Sequence, residues 1–228
     1  MKIFNYNNVS GHILFDVNRL VVLFDTGAPN SIGPELFSFI DKDYSLQNNY
    51  MGLTITKLSE YIGTQIDVLM GCDIINEYDV CIDPKQQNLT FGEHLNDEGY
   101  NVVLPLKYFM SIPIVEVSID GQSMAMFFDT GAQLSYIEPD KTNNYKSTGE
   151  KEDFYPGIGR FKTKTFDIPT TIGGDEISMK YGILPDMIQM TLMMTDTQGI
   201  VGTEIFNYFS CILSYDKKIL NLKKWKMK

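Results

Sequence analysis

Short apolar runs separated by polar turns make up most of this chain. Residues 12–24 and 114–128 each contain two β-favouring runs around a polar break, which predicts a hairpin in each segment. In the second segment, Asp120-Gly121 is a strong signal for a two-residue turn. Segments 81–91 and 211–222 have the same strand-turn-strand pattern. The hydrophobic pattern therefore predicts a mainly antiparallel β-protein.

This pattern is repeated within the chain. Residues 20–32 read LVVLFDTGAPNSI and residues 124–137 read MAMFFDTGAQLSYI, so an apolar run leads twice into Asp-Thr-Gly-Ala, with a serine six positions after each aspartate. A second pair of matching segments, 68–83 and 199–214, leads through apolar residues into a glycine and a short helical pattern. Self-similarity of this kind predicts two structurally related halves.

Each half has the same order of predicted elements: a hairpin, the Asp-Thr-Gly-Ala loop, a variable middle segment, a glycine with a short helix, and a final hairpin. The polar stretch 92–100 is the natural joint between the halves. We therefore expect an all-β, mainly antiparallel fold with a short helix in each half, arranged as two lobes about a pseudo-twofold axis. The lobes are predicted at residues 1–96 and 97–228.

Composition and charge argue against several classes of function. The chain of 228 residues has 19 basic and 29 acidic side chains and a formal charge of -10, which disfavours a general electrostatic grip on nucleic acid or anionic lipid. No run of 18 apolar residues occurs and the first residues lack a secretory-signal layout, so we expect no membrane span and a cytoplasmic protein. Little room precedes the first hairpin for a propeptide, so we expect a protein that is active as synthesised.

The cysteine and histidine content argues against a metal centre. Three cysteines without CxxC spacing fit neither a disulfide framework nor a zinc site, and we expect them to be reduced. His12 and His94 are too few for a histidine-based metal site and are expected at the surface or in turns. No GxSxG motif occurs, so a Ser-His or Cys-His hydrolase is poorly supported. We expect neither a metal nor an organic cofactor.

Asp25 and Asp129 carry the strongest chemical signal. Each follows a continuous apolar run, where burial normally excludes a charge. The glycine two positions on permits a tight turn that brings amide groups to the carboxylate, and the intervening threonine hydroxyl can hydrogen-bond to the other loop. Two such loops facing each other would bring the carboxyl groups into contact. Because like charges that close cannot both ionise, the pair would hold one proton and supply one acid and one base.

These motifs give the chain a resemblance to the retropepsin-like and pepsin-like aspartic peptidases over nearly its full length. The resemblance implies that Asp25 and Asp129 form a catalytic pair, which activates water to attack a peptide carbonyl. It implies a peptide or protein substrate bound as an extended strand, in a cleft formed by one chain acting as an intramolecular pseudo-dimer. The residues that lock and shape the two loops are then Thr26, Gly27, Thr130 and Gly131.

The residues after the two glycines bear on the working pH. Both are alanines, Ala28 and Ala132, where the pepsin pattern has a hydroxyl residue. A carboxylate that lacks this donor is less stabilised as an anion, so its pKa should be higher. We expect activity at mildly acidic to neutral pH.

The middle segments of the two halves differ in length. Asp25 and Gly71 are 46 residues apart, whereas Asp129 and Gly202 are 73 apart. The excess falls in segment 153–174, whose Pro-Gly-Ile-Gly turn and alternating strand predict an extended hairpin.

This predicted hairpin resembles the retropepsin flap. The resemblance implies one flap, from the C-terminal half, with Gly157, Ile158 and Gly159 at its tip. Retropepsin dimers have two flaps and pepsins carry theirs on the N-terminal lobe, so this chain departs from both patterns. How the substrate backbone would be held on the side without a flap is left open.

Two groups of side chains near these segments have less specific interpretations. The basic residues after the flap tip favour a solvated strand over contact with acidic substrate groups; they are Arg160, Lys162 and Lys164. A methionine cluster favours core packing over the lining of substrate subsites; it comprises Met187, Met190, Met193 and Met194.

Two alternatives to the single-chain peptidase stay open at this point. A catalytically silent peptide-binding or regulatory module would keep the same fold, although the presence of both aspartates and both threonines argues against it. Alternatively, each half pairs with another molecule in a larger oligomer. The unequal flap lengths within one chain favour intramolecular pairing.

Overall fold

The computed structural model describes residues 1–155 and 158–225, and β-strands dominate these ranges. The strands are β1 (Lys2–Val9), β2 (His12–Val17), β3 (Leu20–Phe24), β4 (Leu36–Phe39), β5 (Lys42–Ser45), β6 (Val68–Met70), β7 (Asp79–Asp83), β8 (Asn88–Gly92), β9 (Val102–Pro105), β10 (Lys107–Phe109), β11 (Ile112–Ile119), β12 (Gln122–Phe128), β13 (Ser135–Ile137), β14 (Gly149–Tyr155), β15 (Gly159–Ile172), β16 (Asp175–Ile183), β17 (Gly199–Val201), β18 (Phe209–Ser214) and β19 (Ile219–Lys224). The α-helices are α1 (Ile55–Ile62), α2 (Cys72–Ile75) and α3 (Asp186–Met194), and two 3-10 helices span Pro139–Thr142 and Thr203–Asn207.

Two large sheets organise the chain into two lobes. One has nine strands in the order β6-β3-β2-β1-β8-β7-β18-β19-β9, and the other has eight in the order β10-β11-β12-β17-β13-β16-β15-β14. Strands β4 and β5 form a separate pair. The predicted fold class, mainly antiparallel β with short helices and two lobes, is confirmed.

The nine-stranded sheet joins the two halves of the repeat. Strand β7 of the first half pairs antiparallel with β18 of the second, with Val80 opposite Leu213 and Ile82 opposite Cys211. On either side, β1-β8-β7 is matched by β9-β19-β18, which is the arrangement that a pseudo-twofold axis between β7 and β18 requires. The chain after residue 97 therefore supplies strands to both large sheets, and the division at residues 96 and 97 stays a prediction.

Several neighbouring strands are joined by two-residue turns. Asn18-Arg19, Met110-Ser111 and Asp120-Gly121 each have both residues at positive φ, the turn type that matches the right-handed twist of the flanking strands. The Asp120-Gly121 turn was visible in the sequence. The Met110-Ser111 turn was not, because neither residue type favours the left-handed conformation.

The helices of the middle segments were not predicted. Helix α1 begins after Thr54, whose hydroxyl accepts from the Lys57 amide (3.3 Å), and ends at Gly63 in the left-handed conformation. Helix α3 buries Ile188 and Leu192 on one side. The methionines on its other side are 66–87% exposed, so the expectation that they pack in the core is wrong. These residues are Met187, Met190, Met193 and Met194. No helix of the described ranges is long and apolar enough to cross a membrane.

The main hydrophobic core runs through both halves. It includes Phe24 and Phe91 from the first half and Phe128 and Phe206 from the second. The three cysteines are free. His12 was expected at the surface or in a turn, and this is wrong, since its side chain is 2% exposed. It lies at the start of β2, where the strand packs against the second half of the chain.

The extra residues of the second half form an antiparallel hairpin of β14 and β15. Gly149 is opposite Thr165 and Tyr155 is opposite Gly159. The first strand begins four residues before the predicted start at residue 153, because the polar run from Gly149 to Glu152 pairs with β15 although it lacks an apolar alternation. The matching segment of the first half has a short Tyr50–Leu53 bridge and helix α1 instead.

The Met110-Ser111 turn offers a test of the backbone argument. Both residues are exposed and have φ of 49° and 67°. Replacing them with Asn-Gly should keep the turn but lower the energetic cost of its left-handed conformation, without loss of packing. We expect the free energy of unfolding to rise by about 1 kcal/mol and the melting temperature by about 2–4 °C. Gly121→Ala is a control with the opposite expected effect. It places a side chain at φ 75° in the Asp120-Gly121 turn and should lower the melting temperature. An unchanged or lower value for the Asn-Gly variant would contradict the argument.

Candidate active site

The same local structure positions both aspartates. Asp25 directly follows β3, which pairs in parallel with β6, and its amide donates to the Met70 carbonyl (3.0 Å). Asp129 directly follows β12, which pairs in parallel with β17, and its amide donates to the Val201 carbonyl (3.0 Å). Each carboxyl group therefore stands at the end of a buried strand that a neighbouring strand holds in place.

The threonines of the two loops bind across the interface between the halves. Thr26 Oγ1 donates to the Phe128 carbonyl (2.7 Å) and accepts from the Thr130 amide (3.0 Å). Thr130 Oγ1 donates to the Phe24 carbonyl (3.1 Å) and accepts from the Thr26 amide (3.0 Å). Both threonine side chains are buried. Four crossed hydrogen bonds between buried groups fix the two loops relative to each other.

The glycines of the motif allow each carboxyl group to lie against the opposite loop. A Cβ atom added to Gly27 would stand 2.2 Å from Asp129 Cγ, and one added to Gly131 would stand 2.5 Å from Asp25 Cγ. Real Cβ atoms do not approach other atoms this closely. The third residue of each Asp-Thr-Gly must therefore lack a side chain for the loops to meet.

The structure thus brings Asp25 and Asp129 together. Asp25 Oδ1 accepts from the Gly27 amide (2.8 Å), and Asp129 Oδ1 accepts from the Gly131 amide (2.8 Å) and the Ala132 amide (3.2 Å). Each carboxyl group also lies against the loop that carries the other, and the two groups interact directly. Because a carboxylate has no donor, a hydrogen bond between the two groups requires one of them to carry a proton.

Burial and mutual repulsion set the protonation of the pair. Burial raises the pKa of Asp25, although the surrounding amide groups oppose the shift. Burial, followed by the negative charge of Asp25, raises the pKa of Asp129 well above its ordinary value. The two groups titrate as one unit, and the state with a single shared proton extends to higher pH than for isolated aspartates.

Sequence analysis missed the hydrogen bonds that tie each Asp-Thr-Gly loop to the start of the short helix in the same half. Ser31 Oγ donates to Asp73 Oδ1 (2.6 Å) and accepts from the Gly71 amide (2.8 Å), which ties the first loop to the start of α2. In the second half Ser135 Oγ accepts from the Gly202 amide (3.1 Å) in the same manner. The signal was the serine that recurs six positions after each aspartate.

The β14–β15 hairpin lies beside the two carboxyl groups. Tyr155, which the sequence analysis missed, stands where burial and the negative charges of Asp129 and Asp25 raise its pKa. The Ile158 amide donates to the Tyr155 carbonyl (3.1 Å), and Gly159 begins the descending strand at φ 86°.

Part of the predicted tip lies outside the described residues. Of its three residues, Gly157 lies outside the described residues, whereas Ile158 and Gly159 lie within them. Ile158 packs against the apolar cluster of the second half that contains Leu184 and Ile188. The described part of the tip is therefore attached to the same lobe as the strands that form the hairpin.

A buried polar cluster anchors the hairpin to both halves of the chain. Tyr136 Oη donates to Asp153 Oδ2, and both side chains are buried. His12 enters this region from β2 and lies next to Phe154 of the hairpin. Burial lowers the pKa of His12 more than the Asp153 charge raises it, so the imidazole is neutral in the folded protein near neutral pH.

No group of three or more histidine, cysteine, aspartate or glutamate side chains is placed to hold a metal ion within residues 1–155 and 158–225. The candidate site in this part of the chain consists of two carboxyl groups, their amide donors and the hairpin beside them. Such a pair can donate a proton from one carboxyl group and accept a proton at the other.

Comparison with known proteins supports the fold. No protein-family model and no curated protein matches the sequence. Among solved structures, the chain is similar to the crystal structure of aspartic proteinase from Irpex lacteus, with 13% sequence identity, a TM-score of 0.56, and coverage of 98% of this chain and 97% of that chain. A likeness at this identity extends to the fold, which is that of an aspartic proteinase along nearly the whole chain.

The crossed threonine bonds lead to a stability prediction. Thr26→Ala would leave the Thr130 amide and the Phe128 carbonyl without their partner in a buried site, so we expect a loss of about 1–3 kcal/mol in the free energy of unfolding. Thr26→Ser keeps the hydroxyl and is the matched control, with a smaller loss from the missing methyl group. Urea unfolding measures both. Equal losses for the two variants would mean that the hydroxyl bonds do not hold the loops.

Proposed function

We propose that this protein is an aspartic endopeptidase that hydrolyses peptide bonds with the Asp25 and Asp129 carboxyl pair. The observation that carries the proposal is the close approach of these two carboxyl groups, which come from equivalent loops of the two halves. The aspartic proteinase fold supports it. The proposed catalytic water, acid and base require neither a metal ion nor an organic cofactor.

The proposed reaction uses the shared proton. The ionised carboxylate takes a proton from a water molecule held between the pair, and the water oxygen forms a bond to the peptide carbonyl carbon. The protonated carboxyl group gives its proton to the carbonyl oxygen, so the intermediate is a neutral diol. Collapse of the diol breaks the carbon–nitrogen bond. The carboxyl group that took the water proton gives it to the leaving amine, and the other, ionised carboxylate takes a proton from a diol hydroxyl, so the pair is again singly protonated.

The remaining predicted site residues have supporting roles in this proposal. The crossed hydroxyl bonds hold the carboxyl groups in contact, and the side-chain-free positions permit that contact; the residues are Thr26, Gly27, Thr130 and Gly131. The β14–β15 hairpin acts as the flap over an extended peptide, with a tip at Gly157, Ile158 and Gly159. Exclusion of water under the flap would strengthen the electrostatic effect of the pair.

The proposed enzyme works as a single chain at mildly acidic to neutral pH. One chain contributes both carboxyl groups, and the central sheet through β7 and β18 unites its halves. The raised pKa of Asp129 extends the singly protonated state upward in pH. A cytoplasmic location is part of the proposal, in keeping with free thiols at Cys72, Cys81 and Cys211.

Cleavage assays test the proposal directly. The wild-type protein should cleave members of a peptide library between about pH 4 and pH 8, and Asp25→Asn and Asp129→Asn should each reduce the rate by about 10²–10⁴-fold, because neither carboxyl group can take both roles. Products are measured by mass spectrometry. Asp186→Asn, at an exposed residue of helix α3, is the matched control and should cleave like the wild type.

Other outcomes have defined meanings. Undiminished cleavage by either site variant would exclude a two-carboxyl mechanism. Binding of extended peptides without cleavage by the wild-type protein would identify the silent peptide-binding module instead.

The raised pKa of Asp129 also predicts how stability depends on pH. Below its ordinary pKa of 3.8 the carboxyl group is protonated in both the folded and the unfolded chain, so it does not contribute to a pH dependence. Above that value the unfolded chain loses the proton while the folded chain keeps it, so the folded state loses stability as pH rises.

Asp129→Asn removes this penalty. We therefore expect the stability of the variant relative to wild type to be greater at pH 7 than at about pH 3, as measured by urea unfolding at both values. A relative stability that is equal at both values, or greater at the acidic one, would contradict a raised pKa in the folded protein.

A further inference from the structure

The two faces of the β14–β15 hairpin contact different halves of the chain. Successive side chains of a strand point to opposite faces, and cross-strand partners share a face. Phe154 is opposite Arg160, and this pair lies on the face toward the first half. Asp153 is opposite Phe161, and Phe161 packs with Tyr155 against the cluster of the second half. The hairpin therefore spans the two lobes.

Arg160 makes the polar contacts of the first-half face. Its Nη2 atom donates to the carbonyl oxygens of Glu60 (3.0 Å) and Tyr61 (2.9 Å), which belong to the last turn of α1. Its Nη1 atom donates to Glu152 Oε1 (3.0 Å) on the neighbouring strand, which aims the guanidinium group at the helix. Arg160 is exposed, as expected for a solvated strand, and it also contacts the end of this helix.

The end of α1 is suited to receive a guanidinium group. The last carbonyl groups of a helix have no partner within the helix and carry partial negative charge. The Gly63 amide donates to the Ser59 carbonyl (2.8 Å), and α1 has no basic residue of its own in its last turn. The Glu60 and Tyr61 carbonyls are thus satisfied by an arginine from the other half of the chain.

Aromatic contacts reinforce this junction. The Tyr61 ring stacks on Phe154 with centroids 4.8 Å apart, and the Arg160 guanidinium carbon lies 5.9 Å from the Tyr61 centroid. A Cβ atom on Gly159 would stand 3.6 Å from Tyr61 Oη. We call the contact of Phe154, Gly159 and Arg160 with the Glu60–Tyr61 end of α1 the latch.

The latch differs from the anchor on the opposite face of the hairpin. The anchor pairs the buried Tyr136 and Asp153 side chains. In the latch, the side chains of Arg160 and Glu152 are 49% and 47% exposed. Water can replace exposed hydrogen bonds at small cost, whereas buried partners separate at large cost. The polar contacts that Arg160 makes with the first half are therefore the ones that separate more readily.

We propose that Arg160 is a positioning residue that latches the hairpin to helix α1 and so closes it over the carboxyl pair from both lobes. Peptide entry and product release then require this contact to break and reform. The inference rests on the proposed peptidase function for its role in catalysis. It accounts for the absence of a flap-length hairpin in the described first half, since one hairpin is held by both lobes.

Amide hydrogen exchange tests the latch without any need for activity. In the Asp25→Asn background, Arg160→Ala should make the amides of residues 149–155 and 159–165 exchange about tenfold faster, because charge-assisted bonds that hold the hairpin are lost. Lys162→Ala is the matched control, since Lys162 is an exposed basic residue two positions along the same strand face. It should leave the rates within about twofold of the parent.

Equal exchange in the Arg160→Ala variant and its parent would overturn the latch. Faster exchange throughout the chain would also overturn it, since that would show a general loss of stability instead of hairpin opening. A selective increase in the hairpin supports the latch even if no peptidase activity is found, so its result is distinguishable from failure of the proposed function.

Kinetics test the positioning role in the active enzyme. Arg160→Ala should raise KM by about tenfold with kcat within about threefold of wild type, because the hairpin holds peptide less firmly while the carboxyl pair is intact. Arg160→Lys should give an intermediate KM, since an ammonium group lacks the planar fork of donors. A loss confined to kcat, or a lysine variant equal to alanine, would contradict the proposed role.

Discussion

Two threonine hydroxyls, each hydrogen-bonded to the backbone of the opposite half, hold together the centre of this protein. Thr26 and Thr130 are buried, and a buried hydroxyl or amide group without a hydrogen-bond partner would destabilise the fold. The close approach that they enforce places Asp25 and Asp129 in contact. The proposed shared proton and the proposed chemistry depend on that contact, and the charge of Asp25 adds to the burial that raises the pKa of Asp129.

The symmetry of the loops contrasts with the asymmetry of what surrounds them. Parallel strand pairs, crossed bonds and a supporting serine occur in both halves. The long hairpin occurs in the second half, and in the equivalent place the first half has helix α1. Symmetric contact suits a pair of carboxyl groups that share a proton in the proposed reaction, whereas the proposed flap needs only a single hairpin.

The hairpin and helix α1 are complementary in position and chemistry. A helix end offers carbonyl groups without partners, and Arg160 offers donors that its own strand does not use. The outcome is a hairpin that belongs to one lobe and also contacts the other. On one face of the hairpin, Asp153 forms a buried hydrogen bond with Tyr136. On the other face, the polar contacts of Arg160 are half exposed and separate from the first half more readily.

The sequence by itself determined the features that arise from local chemistry: the repeated strands and turns, the paired loops, and the identity of the two aspartates, because strand periodicity and turn residues act over a few positions. Only the tertiary structure decided what distant residues do to each other. No local pattern marks Arg160 as the partner of a helix end about a hundred residues away. Nor does composition show that Met190 is exposed or that His12 is buried. Burial and partnership of such residues are set by the packing of whole elements, which a short window of sequence does not contain.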